Sequence, residues 1–238
     1  MLQHAHFKAI FTLSIKGYTN GMKFVHGSPQ EAATDIAKRL NELLASGRSV
    51  LWLVSGGSNM PVQTMAMNMI PDKLSKHLYI IPVDERFGPY NHKDSNTGAM
   101  RKAGFDPKHA QWIDLLEQNF SLAQTTQLFN DFLAREIAKE DYIFVTLGMA
   151  EDGHTAGILP QSPALTSTDF AVGYKAPDYT RITVCADTLA AHADEVVLCA
   201  FGQNKLSTLE RLRNKDESRQ ILPAMILHQI ENCTVYHD

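Results

Sequence analysis

The chain has 238 residues, 44% of them hydrophobic and 20% charged, enough to bury a substantial core as one large domain or two small ones. Its formal charge is −4 with both signs spread along the sequence, which argues against a nucleic-acid or anionic-membrane surface. No stretch approaches the ~18 consecutive apolar residues of a membrane span; Cys185, Cys199 and Cys233 are odd in number, widely spaced and set in apolar runs, as in reduced core residues of a cytoplasmic protein.

In chain order, residues 1–21 read as an N-terminal extension ahead of one folded domain at 22–238. Their apolar run, Ala9-Ile10-Phe11-Thr12-Leu13-Ser14-Ile15, is too short and too hydroxylated for an export signal. His4 and His6 read as solvated residues, not metal ligands. Lys23-Phe24-Val25 is the first strand-like run. Ser28-Pro29 then opens a helix whose apolar positions, Ala32, Ala33, Ile36, Ala37, Leu40, Leu43 and Leu44, recur at helical spacing until Gly47. Continuous apolar runs at 49–54, 78–83, 142–146 and 195–201 have the length and content of strands buried on both faces, with 181–185 and 234–236 as lesser ones. Helical patterns at 63–69, 121–139, 204–213 and 222–229 fall between them, the last beside Pro223, which a first turn tolerates. The alternation predicts an α/β fold: a doubly wound, mostly parallel sheet with helices on both faces.

Three strand exits carry the chemistry. Ser55-Gly56-Gly57-Ser58 follows the run ending at Val54 and precedes a helix, so glycine backbone, hydroxyls and unpaired helix N–H groups meet in the outline of a phosphate cradle. It lacks the Gly-Lys-Ser/Thr ending of a Walker loop, and a Gly-Gly turn also joins strand to helix with no ligand. Asp84-Glu85-Arg86 ends the next run; two carboxylates and a guanidinium there can orient a polyhydroxylated substrate or stabilise developing negative charge, with a surface ion-pair network as the plainer alternative. Asp152-Gly153-His154 puts an acid two residues from an imidazole, a side chain whose ordinary pKa of about 6.5 suits proton transfer near neutral pH. A lone histidine is usually structural, but this one lies in a glycine-rich loop after a buried strand. Arg181, opening an apolar run, and Lys205, opening a helix, add two cations on the same side of the expected parallel sheet, placed to close over a phosphate. Loops that follow parallel strands open on one edge of the sheet, which is where such folds bind ligands.

Ser55-Gly56-Gly57-Ser58 with Pro61, Val83-Asp84-Glu85-Arg86 with Asp94-Ser95-Asn96, Leu147-Gly148-Met149 with Asp152-Gly153-His154-Thr155-Ala156 and Pro160, then Arg181 and Gly202 with Lys205, together resemble the ordered motif set of the glucosamine-6-phosphate isomerase/6-phosphogluconolactonase family. The resemblance runs from Phe24 to the C-terminus. It implies a deaminase/ribose-5-phosphate isomerase-like fold and one of two activities. The deaminases continue the Asp-Gly-His loop into Asn-Glu-Pro, whose glutamate assists ring opening; here Leu159 stands in its place and moves no proton. Asp84-Glu85-Arg86, where the deaminases carry Asp-Glu-Tyr, points the same way, to the lactonases. Three departures stand out: Ala150 for a usual glycine, Gly157 for a usual serine, and Asn59-Met60 delaying Pro61.

The resemblance implies hydrolysis of 6-phospho-D-glucono-1,5-lactone to 6-phosphogluconate in the oxidative pentose phosphate pathway. His154 is expected to act as the base, Asp152 as its orienting group and Arg86 as oxyanion stabiliser. Ser55, Gly56, Gly57, Ser58, Asp84, Glu85, Arg181 and Lys205 are expected to bind substrate. No cofactor or metal is expected, and the only partner expected is the phosphosugar lactone, on a cytoplasmic monomer or small homo-oligomer. An amino-sugar phosphate deaminase and a non-enzymatic sugar-phosphate sensor are the rival readings; the sensor lacks an appended DNA-binding helix pair or basic face.

Overall fold

A computed structural model describes residues 21–238, so His4, His6 and nearly all of the expected extension lie outside the described residues. The first element is β1 (Lys23–His26), and Ser28 then starts α1 (Pro29–Ala45) with a reciprocal cap. Its Oγ accepts from Glu31 N at 3.2 Å while the Glu31 carboxylate accepts from Ser28 N at 2.8 Å, an arrangement worth about 1 kcal/mol. The buried face of α1 is the predicted one, Ala32, Ala33, Ile36, Ala37, Leu40, Leu43 and Leu44. After it come β2 (Val50–Val54), α2 (Met60–Asn68), α3 (Asp72–Ser75), β3 (Leu78–Pro82), β4 (Asp84–Arg86), α4 (Asn96–Lys102) and β5 (Gln111–Trp112). The second half runs α5 (Leu122–Lys139), β6 (Tyr142–Gly148), β7 (Ala171–Lys175), β8 (Thr180–Val184), α6 (Ala186–His192), β9 (Glu195–Cys199), α7 (Leu206–Asn214) and β10 (Cys233–His237).

Seven strands pair in the order β1-β10-β9-β6-β2-β3-β5, and every pairing in this sheet is parallel. A central parallel strand must be apolar on both faces, and β2 and β6 are. Leu51, Leu53, Ile143 and Val145 face one core with Phe129 and Leu133 of α5; Val50, Trp52, Val54 and Phe144 face the other with Ile36 and Leu40 of α1. This is the doubly wound α/β arrangement read from the sequence. Among the described residues no helix is long and apolar enough to cross a membrane. All three cysteines are buried and unpaired, and burial pushes their thiols up to about 11 for Cys185 and about 12 for Cys199 and Cys233.

Several expectations are corrected. A second, antiparallel sheet of three strands, β4-β8-β7, was not anticipated, and it claims both the 84–86 motif and the 181–185 run. Arg181 therefore sits beside Arg86 in that small sheet and not on the edge of the parallel one. The helical pattern at 222–229 is a 3-10 helix, Pro223–Gln229, and the 195–201 strand stops at Cys199. The two sheets are joined at Val83, whose N–H donates to Val54 O at 2.7 Å and whose carbonyl accepts from Val184 N at 3.0 Å. That junction sets the small sheet against the carboxyl end of β2.

Candidate active site

At that end of the sheet lies a cavity of about 380 Å³, within the ~300–1,000 Å³ usual for small-molecule sites. Ser55, Gly56, Gly57 and Ser58 line one wall. A Cβ on Gly56 would lie 2.3 Å from Asn96 Oδ1, so only glycine lets the loop pass this close to α4. A 3-10 turn, Gly57–Asn59, leads into α2, and Pro61 falls in the first turn of that helix; the Asn59 amide donates to Ser55 Oγ at 3.1 Å. Lys205 comes to this wall from the start of α7 and donates from Nζ to Ser58 Oγ at 3.2 Å. Burial holds its ammonium below the usual lysine range, against the opposing pull of Cys199 and Glu151.

The opposite wall is the small sheet. Asp84 and Arg86 point into the cavity, and Arg86 stands directly across the β4–β8 ladder from Arg181. Two like charges so placed repel, and the neighbourhood compensates. Arg181 pairs with Asp178 at 2.7 Å and lies 3.9 Å from Asp84, while the Tyr179 ring carries the Arg86 guanidinium 4.6 Å from its centroid and that of Arg181 at 5.6 Å. The Nε atoms of both arginines are buried and without an acceptor among the described residues. Two guanidiniums side by side with donors unused have the chemistry to hold an anion. Burial pushes the Asp84 carboxyl above the usual range, opposed by Arg181, His154 and Arg86.

Glu85 corrects the sequence reading. It is fully buried away from the cavity, where its carboxylate accepts from Asn96 N (2.6 Å), Thr97 N (3.0 Å), Thr97 Oγ1 (2.9 Å) and Ser95 Oγ (3.1 Å). It anchors the N-terminus of α4 and does not line the cavity; burial still holds its carboxyl above the usual range. What α4 delivers is Asn96, whose Nδ2 donates to the Asp84 carboxylate at 3.2 Å and which lines the cavity.

Between the walls lies the loop that follows β6. Ala150 N donates to His154 O at 3.0 Å and Gly153 N to Ala150 O at 3.0 Å, closing a tight turn. Gly153 has φ +79°, and a Cβ there would meet Leu222 Cδ1 at 2.0 Å, so glycine is required twice over. Ala150 lies outside the left-handed region and fits without strain. The exposed Asp152 carboxylate accepts, through one oxygen, from His154 N at 3.0 Å and from His154 Nδ1 at 2.7 Å. That bond places the Nδ1 proton and leaves Nε2 for the cavity, which His154 lines. Gly157, the other departure, packs so close to Thr183 and Asp84 that a Cβ would approach them at 2.8 and 3.2 Å.

Sequence reading missed Asp178, Tyr179, Glu151 and Asn204. Asn204 Nδ2 donates to Glu151 Oε1 at 2.5 Å and Thr208 Oγ1 to Glu151 O at 2.5 Å, tying the entry of α7 to the 150–154 turn. Asn204 stands one residue before Lys205 and Glu151 one before Asp152, and this adjacency was the sequence signal they gave.

A sequence model of the glucosamine-6-phosphate isomerases/6-phosphogluconolactonase family matches residues 27–236. The chain belongs to that family. Among the family's curated members, the 6-phosphogluconolactonase of Pseudomonas aeruginosa is 32% identical over 205 residues, covering 82% of this chain and 84% of its own, and that of Neisseria meningitidis is 27% identical over 218 residues, covering 87% and 93%. The crystal structure of a 6-phosphogluconolactonase from Shewanella baltica superposes with a TM-score of 0.75 at 24% identity over 91% of this chain and 98% of that one. A monomeric glucosamine-6-phosphate deaminase superposes equally well, with a TM-score of 0.74 at 16% identity over 91% and 97%. The family fold thus hosts both chemistries, and the site must separate them.

Proposed function

We propose that this family member is a 6-phosphogluconolactonase, hydrolysing 6-phospho-D-glucono-1,5-lactone to 6-phosphogluconate. The observation that carries the reading is the Asp152-held His154 imidazole opening into a cavity with a lysine and hydroxyl cradle on one wall and two arginines on the other. His154 Nε2 takes a proton from water as the water oxygen attacks the lactone carbonyl. Arg86 stabilises the oxyanion of the tetrahedral intermediate. The intermediate collapses with cleavage of the bond to the ring oxygen, and His154 returns the proton to that oxygen. The 55–58 loop, Lys205 and Arg181 hold the phosphate and so fix the carbonyl near the imidazole. A strained ester carbonyl is electrophilic enough for water and a base, so the scheme uses no cofactor.

The deaminase alternative needs a second proton-moving group where this chain has Leu159. The reading also takes residues 22–238 as one domain behind an extension, acting in the cytoplasm as a monomer or small homo-oligomer without nucleic-acid or membrane partners. A paired assay tests the activity: freshly generated lactone against a no-enzyme control, and ammonia release from glucosamine 6-phosphate. Acceleration of the first with none of the second is expected; ammonia release without lactone hydrolysis overturns the reading.

A further inference from the structure

Behind the 55–58 loop runs a buried polar chain that the proposed chemistry leaves unused. Gln63, in the first turn of α2, has no exposed surface. Its Oε1 accepts from Ser55 N at 2.8 Å and from Thr146 Oγ1 at 2.6 Å, and its Nε2 donates to Ser55 O at 2.6 Å. Thr146, on β6, in turn accepts from Trp52 Nε1 at 3.0 Å. The orientation of the carboxamide is fixed by these partners: reversed, it would face an N–H with an amine and a carbonyl with a carbonyl. Gln63 therefore pairs with both backbone groups of Ser55 as a neighbouring strand would, carrying the order of β2 one residue past Val54 into the loop.

Core filling alone does not require this. Leucine or methionine would occupy the space, at the cost of leaving the Ser55 N–H and C=O buried and unpaired. All three contacts of Gln63 converge on the first residue of the cradle and on the strand that leads, through Gly148, to the 150–154 turn. We propose that Gln63 is the positioning residue of the cradle: it fixes the direction in which the 55–58 loop leaves β2, and through Thr146 it fixes the loop's distance from the His154 turn. The group positioned for is an oxygen-rich anion, the phosphoryl end of the substrate, so the inference rests on the function proposed above.

The test compares wild type, Gln63→Met and Thr146→Val. Calorimetric titration with inorganic phosphate and with 6-phosphogluconate is run beside steady-state lactone kinetics. For Gln63→Met the affinity for both probes is expected to fall by about tenfold or more, the scale of one lost hydrogen bond to a charged ligand. KM for the lactone should rise in parallel while kcat stays within about twofold, the pattern of lost uniform binding. Thr146→Val, which keeps the Ser55 clamp and removes its brace together with the acceptor of Trp52 Nε1, shifts the same quantities in the same direction by less. Unchanged phosphate affinity in folded Gln63→Met, or a loss confined to kcat, overturns the proposal; should that variant not fold, unchanged affinity in Thr146→Val overturns it instead. Gln63-dependent phosphate binding in a wild type that hydrolyses no lactone would remove the activity and leave the cradle assignment standing.

Discussion

A single oxygen of Asp152 holds both the backbone and the ring of His154, so one carboxylate sets the imidazole's tautomer and plane. Asp152→Asn should keep the turn but lose that control, cutting kcat by part of the roughly 10²–10⁴-fold that acid–base catalysis supplies, with 6-phosphogluconate affinity unchanged in a titration. Lys205 supplies a pH prediction. Because burial lowers its pKa, its charge is lost at a lower pH than that of a solvated lysine. Affinity for 6-phosphogluconate should therefore weaken early on the alkaline side, and Lys205→Arg should move that loss to higher pH; an identical alkaline limb in both proteins would contradict the role. At this scale the sequence placed His154, Asp152 and the 55–58 loop after strands and Lys205 at a helix start, and the structure has them there. Glu85 was misread as a ligand of the substrate. The missed signal was alternation: on a strand, Asp84 and Arg86 share one face and Glu85 takes the other.

That other face matters for α4. Glu85 meets four donors of the α4 N-terminus, and Glu85→Gln turns one acceptor into a donor facing N–H groups. A loss of about 1.5–3 kcal/mol is expected in denaturant unfolding, with a raised KM as Asn96 loosens. The 150–154 turn is equally exacting. Gly153→Ala forces a left-handed alanine against Leu222 and should cost at least about 1–2 kcal/mol together with most of the activity. The parallel strands were legible because burial on both faces leaves continuous apolar runs, as in Val50-Leu51-Trp52-Leu53-Val54. The small sheet was not: β4 is three charged residues whose pairing with β8 is long-range, and β7, which meets β8 in a local hairpin, reads Ala-Val-Gly-Tyr-Lys without the alternation of a strand. Arg181 was placed on the wrong sheet for that reason.

Over the whole molecule, the parallel sheet offers one edge and the small sheet closes it into a cleft, so the cavity forms only when both have assembled. Ligand should then stabilise the entire fold: 6-phosphogluconate at 100 times its Kd should add about 2.7 kcal/mol to unfolding, and inorganic phosphate less at equal concentration. The central claim, that this cleft is a lactonase site driven by His154, is met most directly by progress curves on freshly generated 6-phosphogluconolactone with wild type, His154→Ala and no protein side by side. The account predicts clear acceleration by wild type over spontaneous opening and a His154→Ala curve close to the no-protein one, with 6-phosphogluconate binding intact. A wild-type curve that overlays the no-protein control, or a His154→Ala enzyme that turns over as fast as wild type, would contradict it.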